Sequence, residues 1–222
     1  MGTLDDLNLY AYVYSDPTNR SDPTGQCPPV NQTTDCDLPQ MAAEVSAAVA
    51  IDAALQAPDA VVSTAAKGIM SSFRNGEGDV QEFGPESQET QELTQSAYMQ
   101  GVQNSLIDQF AAANGGVIPE GTQFTGLGPD FGPSDYAADL ANGVQVSDVV
   151  GTMTYPITVV ANEGSLTFTG VNVTSLQSWS GQNFLGDRGI QLGIENPSSG
   201  PLSNSTQVYT WRAPIPAQYR PK

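Results

Sequence analysis

Histidine is absent from this 222-residue chain, and seven lysines and arginines stand against 24 aspartates and glutamates. Without histidine there is no Ser-His-Asp or Cys-His nucleophile and no His-centred nuclease. A zinc deaminase would need a His/Cys-x-Glu and a Pro-Cys-x-x-Cys, and neither occurs. Cys27 and Cys36 are the only cysteines. They would close a small loop in an oxidising compartment or stay as thiols, and with no histidine they make a zinc site an unfavourable expectation. The few bases are scattered, whereas phosphate contacts need clustered Lys and Arg, so no nucleic-acid partner is expected. A Lys-dependent nuclease fares no better, since Lys67 sits in an Ala-rich run and Lys222 is the last residue. No window of about 18 apolar residues suggests an ordinary transmembrane helix. Residues 1–10 are acidic where the start of a signal peptide would be basic.

The charge that is present is uneven. Residues 1–140 hold 20 acids against Arg20, Lys67 and Arg74, and together with the rest they give a net charge of −17. Residues 141–222 balance Asp148, Glu163, Asp187 and Glu195 against Arg188, Arg212, Arg220 and Lys222. The acidic part is either a solvated face or a surface for a basic partner, and it repels anionic lipid and nucleic acid.

Along the chain, LDDLNLYAYVY at 4–14 alternates like a half-buried strand, and SDPTNRSDPTG supplies two turns. Residues 27–39 read as a Pro- and Asn-rich linker. From Gln40 the pattern is helical, with Met41, Val45 and Val49 on one face; Pro58 ends this helix and Asp59 is placed to cap the next. Residues 75–92 hold six acids and no base and read as an exposed loop entering a helix near Pro85 and Glu86. Tyr98, Val102, Leu106 and Phe110 mark one face of that helix, which stops at Asn114-Gly115-Gly116. Helices are therefore expected at roughly 40–57, 59–73 and 86–113. Beyond Gly116 the runs TMTYPITVVA, SLTFTGVNV, RGIQLGIE and STQVYTWR are β-like, and Asn162-Glu163-Gly164 signals a hairpin. The expected fold is α+β, an N-terminal helical segment followed by an antiparallel sheet, either a sandwich or a partly open barrel. The expected divisions are 1–26, 27–39, an acidic helical part at 40–115 and a β-rich part at 116–222.

The opening stretch, GTLDDLNLYAYVYSDPTNRSDPTG, resembles the end of the core in Rhs-repeat (YD-repeat) proteins. Gly2, Asn8 to Val13, Asp16-Pro17 and Asp22-Pro23-Thr24-Gly25 follow the family's order, with Gln26 where the family usually has Leu. The resemblance implies that this motif is the boundary at which a variable C-terminal toxin begins. It implies a secreted effector delivered into a target cell, as in interbacterial competition by type VI secretion. Its implied partners are the Rhs shell of the parent protein and a cognate immunity protein. Asp22, Pro23 and Gly25 would then belong to a cleavage motif.

Several chemistries are open to the toxin that the resemblance implies. ADP-ribosyl transfer is known among Rhs-linked toxins, although this chain has no Glu-x-Glu or Gln-x-Glu. In a divergent form Glu195 would stabilise an oxocarbenium-like transition state and Arg188 would hold phosphates, with NAD as substrate and no bound cofactor. Trp211 and Arg212 in VYTWR are the matching substrate-binding candidates, or else a core anchor and a strand-end charge. A cell-wall glycan hydrolase needs only two carboxylates, for which Asp130, Asp135 and Asp139 are available, though Asp in a Gly/Pro loop is commonly a turn or cap residue. Thr64-Ala-Ala-Lys67 faintly echoes a Ser-x-x-Lys pair. The alternative outside enzymology is a membrane-permeabilising toxin built on the low-charge helices of 41–73. The leading expectation is an enzyme acting in the target cytoplasm on something other than bare nucleic acid.

Overall fold

The structure, a computed structural model, describes residues 38–221 except 60, 77–79, 132, 144, 151–152, 177–196 and 198. The boundary motif with Asp22, Pro23 and Gly25, both cysteines, and the candidates Arg188 and Glu195 lie outside the described residues.

Helices α1 (Leu38–Gln56) and α2 (Thr64–Asn75) open the described chain. Ala47 and Ile51 of α1 pack on Phe73 of α2 with Leu176 and Leu202, a small cluster beside the main core. The turn between the helices differs from expectation. Asp59 does not cap α2; it accepts a 2.7 Å hydrogen bond from Lys67 Nζ, which also donates to the Ala57 carbonyl at the end of α1. Ser63, extended and directly before the helix, is the cap, its Oγ accepting from Ala66 N at 3.1 Å. Lys67 is thus held by this turn, which leaves the Thr64/Lys67 echo without a free amine. The helix ends at Gly76 (φ 67°), where a side chain would also collide with the Gly200 carbonyl.

Residues 75–92 contain a strand where a loop was expected. Strand β1 (Val80–Phe83) pairs with β5 (Ser205–Pro214), and the pair is parallel where an antiparallel sheet was expected. Four residues flanked by acids carry too little pattern to announce a strand, and pairing with β5 decides the outcome. The single helix expected at 86–113 is two, α3 (Gln88–Gln95) and α4 (Ala97–Ala113). Ser96, with ψ 128°, breaks the run and caps α4 by accepting from Met99 N. The expected face is correct: Leu106 and Phe110 are buried, and Tyr98 and Val102 pack against the same core. The stop at Asn114–Gly116 is also as expected, with Gly115 and Gly116 both at positive φ.

The rest of the chain supplies β2 (Gln123–Gly126), α5 (Pro133–Ala141), α6 (Val146–Val150), β3 (Ile157–Asn162), β4 (Ser165–Thr174), β5 and a 3-10 turn at Ala217–Tyr219. Helices α5 and α6 interrupt a region expected to be strand and loop. Pro133 and the first-turn Asp135 are ordinary helix-start residues. The chain is α+β, its helical segment preceding most of one open, mixed sheet ordered β1-β5-β4-β3-β2. The hairpin at Glu163-Gly164 forms as expected, both residues at positive φ as a type I′ turn demands.

One face of the sheet is buried beneath helices. Register aligns Leu166, Phe168, Gly170, Asn172 and Thr174 of β4 with Ala213, Trp211, Tyr209, Gln207 and Ser205 of β5. The first two rows are apolar and the last two are polar, yet all are buried. Gln81 of β1 stands opposite Gln207, so three carboxamides, Gln81, Gln207 and Asn172, share one row across three strands.

Candidate functional site

The β1–β5 pairing ends at Phe83 opposite Tyr209, while β5 continues to Pro214. At Gly84 and Pro85 the chain leaves the sheet to start α3, so the rest of β5 has a neighbour, β4, on one side only. Ile215 N donates to Gly164 O, continuing the β4–β5 ladder. Backbone groups alternate sides along a strand, so Trp211 and Ala213 also point their amides at β4. The N–H and C=O of Arg212 therefore point the other way, into the gap that β1 vacates. Pro214 has the same orientation, which is why a residue without N–H is tolerated there.

A cavity of about 460 Å³ occupies this gap, lined by Pro85, Glu86, Thr90, Thr94, Gln103, Trp211 and Arg212. That volume lies within the range usual for small-molecule sites. Trp211 forms its floor and is not a free stacking platform. The ring is buried and stacked on Phe168 at 5.1 Å, and its Nε1 donates to Gln103 Oε1 at 2.9 Å. Arg212 is exposed and has no hydrogen-bond or ion-pair partner among the described residues. Thr90 and Thr94 direct their hydroxyls at backbone carbonyls, Thr90 at Phe83 O (3.1 Å) and Thr94 at Thr90 O (2.9 Å). The charged side chains of the lining, Arg212 and Glu86, have no partner among the described residues.

Of the expected site residues, the structure thus brings Trp211 and Arg212 to one cavity. The carboxylates proposed for glycan hydrolysis do not line it: Asp135 sits in the first turn of α5, and Asp139 is buried in the same helix with Oδ2 lacking a partner among the described residues. Asn172, which opens an Asn-Val-Thr triplet, is in the buried amide row and closed to modification. Among the described residues, no helix is long and apolar enough to cross a membrane, and no group of three or more His, Cys, Asp or Glu is placed to hold a metal.

Two acids counted as loop surface have other positions. Glu86 lines the cavity. Glu92 is buried, and its Oε1 accepts from Ser63 Oγ (3.0 Å), Gln145 N (2.6 Å) and Val146 N (3.0 Å). Gln145 completes the latch by accepting from Ser63 N and donating to Val61 O, so α2, α3 and α6 meet at one carboxylate. With three donors satisfied, Glu92 is a structural junction. Tyr209 differs: its hydroxyl is buried without a partner among the described residues, and burial, with the nearby charge of Glu89 second, pushes its ionisation well above the usual tyrosine range.

No protein-family model, curated protein or solved structure matches this chain.

Proposed function

We propose that the chain carries the boundary motif and toxin part of an Rhs-type polymorphic toxin, and that the toxin is an NAD-consuming transferase acting in the target cytoplasm. The ordered motif from Gly2 to Gly25 supports the first part. The observation that carries the second is the cavity on the open edge of β5, lined by Arg212, whose guanidinium has no partner among the described residues. A guanidinium matches the geometry and charge of a diphosphate.

In the reaction, the bond between ribose C1′ and the pyridinium nitrogen breaks and its electron pair leaves with nicotinamide. The ribosyl oxocarbenium is then taken by a hydroxyl, amine or water, whose proton passes to a carboxylate. Arg212 holds the diphosphate from the cavity wall, and Trp211 keeps that wall rigid through Phe168 and Gln103. Arg188 would share the phosphates, and Glu195 would face the developing cation. A cognate immunity protein would neutralise the activity in the producing cell.

The test is expression of the chain in a naive bacterium, directed to cytoplasm or periplasm, with NAD content and dye entry followed together. NAD loss or labelled macromolecules without leakage supports the transferase. Early dye entry with NAD intact points to permeabilisation, periplasm-restricted lysis to a wall hydrolase, and normal growth in both compartments overturns the toxin assignment. Full toxicity of both Glu195→Ala and Arg188→Ala would remove those residues from the mechanism.

A further inference from the structure

The transferase reading leaves one wall of the cavity unexplained. Glu86 is exposed on the turn between β1 and α3, and among the described residues its hydrogen bond is through its backbone carbonyl, which accepts from Gln91 Nε2. Its carboxylate, like the guanidinium of Arg212, has no partner among the described residues, although both line a cavity of about 460 Å³. Each is anchored by a different constraint. Arg212 is set by the β4–β5 register, in which it stands opposite Thr167. Glu86 is set by Pro85 before it and by Ser87 after it, whose Oγ caps α3 by accepting from Thr90 N at 3.2 Å. The site thus offers two opposite charges, and Trp211 and Gln103 line it with them.

We propose that Glu86 and Arg212 read the two charges of one ligand: Arg212 the anionic diphosphate, Glu86 the cationic pyridinium ring of an oxidised dinucleotide. This rests on the transferase reading and adds to it a choice of redox form. The oxidised ring carries a positive charge and the reduced dihydropyridine ring carries none, while size and outline are nearly the same. A carboxylate at the ring end therefore separates the two by charge alone. It also favours substrate over product, because nicotinamide is neutral once the C1′–N bond has broken. The attraction is strongest in the ground state and fades as the bond breaks. Glu86 is accordingly a ground-state binding residue, and its loss raises KM and kcat together, leaving kcat/KM nearly unchanged.

The experiment uses the full chain and two ligands that cannot be cleaved by this route, carbocyclic NAD, which keeps the cationic ring, and NADH. Titration calorimetry of the wild type is expected to show preference for carbocyclic NAD by roughly fivefold, the scale of one solvent-exposed charge pair. Glu86→Gln, nearly isosteric and on the surface, should bind NADH unchanged and lose the preference. Arg212→Gln should weaken both ligands in parallel by roughly tenfold, the scale of one charge-assisted hydrogen bond. A wild type without preference, or a Glu86→Gln variant that keeps it, overturns the role of Glu86 while leaving the transferase reading in place. Failure of both ligands to bind the wild type overturns the transferase reading itself.

Discussion

The buried face of β5 changes character halfway along, and its two ends are stabilised by different physics. At one end Trp211 stacks on Phe168 and Ala213 lies opposite Leu166, so burial of apolar area and aromatic contact hold the strand to its neighbour. At the other end Gln207 Oε1 accepts from Asn172 Nδ2 at 2.9 Å and from Thr174 Oγ1 at 3.2 Å, while its Nε2 donates to Ser205 O and Oγ at 3.0 Å. Apolar packing tolerates small shifts. An amide network does not, because each buried donor or acceptor left alone carries its full desolvation cost. The apolar end therefore supplies most of the stability, and the polar end fixes the register. Tyr209 stands at the junction, ring against Phe83 at 5.2 Å and hydroxyl unpartnered.

Substitutions at the two ends should differ in size and in rescue. Trp211→Ala is expected to cost about 3–5 kcal/mol, since it opens a large void and strands Gln103; urea unfolding should show the midpoint falling sharply. Gln207→Leu should cost about 1–3 kcal/mol by orphaning Asn172 and Thr174. Adding Asn172→Leu should recover part of that loss, because both partners are then apolar. A double variant that is merely the sum of two losses would refute the network account. At the junction, Tyr209→Phe removes a hydroxyl that has no partner among the described residues and should raise stability by about 1 kcal/mol. A destabilised Tyr209→Phe would mean that the hydroxyl is hydrogen-bonded after all.

The smallest effects lie away from the sheet and depend on pH. Tyr219 OH donates to Asp108 Oδ1 at 2.8 Å, a bond that, with burial second, raises its ionisation above the ordinary tyrosine range. The neutral phenol is the form that the fold favours, so this contribution is complete below pH 10 and is lost as pH rises through the folded value. Tyr219→Phe should flatten the alkaline limb of a stability profile. Asp59 behaves oppositely: the hydrogen bond and charge of Lys67 hold its carboxyl below the usual range, so its contribution is present above pH 4 and is lost in more acidic solution. Asp59→Asn should blunt only that acid limb.

What the sequence made legible follows from how local each signal is. Asn162-Glu163-Gly164 announced a hairpin because two residues at positive φ carry their own instruction. The face from Tyr98 to Phe110 was legible because a helix repeats its pattern over several turns. Strand β1 was not, since Val80-Gln81-Glu82-Phe83 becomes a strand only when Thr206–Tyr209 lies beside it. Ser96 and Pro133 carried readable signals, a cap and a helix start, but the apolar periodicity around Ser96 and the Gly/Pro punctuation around Pro133 overrode them. The cavity follows the same rule. Trp211 and Arg212 stood out as aromatic and cation in a charge-poor region, but nothing near Glu86 in sequence pairs it with Arg212. Only the departure of β1 from β5 brings them to one gap.

The parallel pair β1–β5 also sets an order of events during folding. β5 is a central strand, yet it follows every other strand in sequence, and Val80 must wait for Thr206 before it has a neighbour. Until β5 arrives, β1 is isolated, and β2, β3 and β4 form no more than a small meander with one unfinished edge. Closing so long a loop is entropically slow, so sheet completion should be the late step. The cavity does not exist before it, because both its floor and its cation come from β5. A chain still emerging from the ribosome would therefore lack this cavity until its last strand had been made and docked.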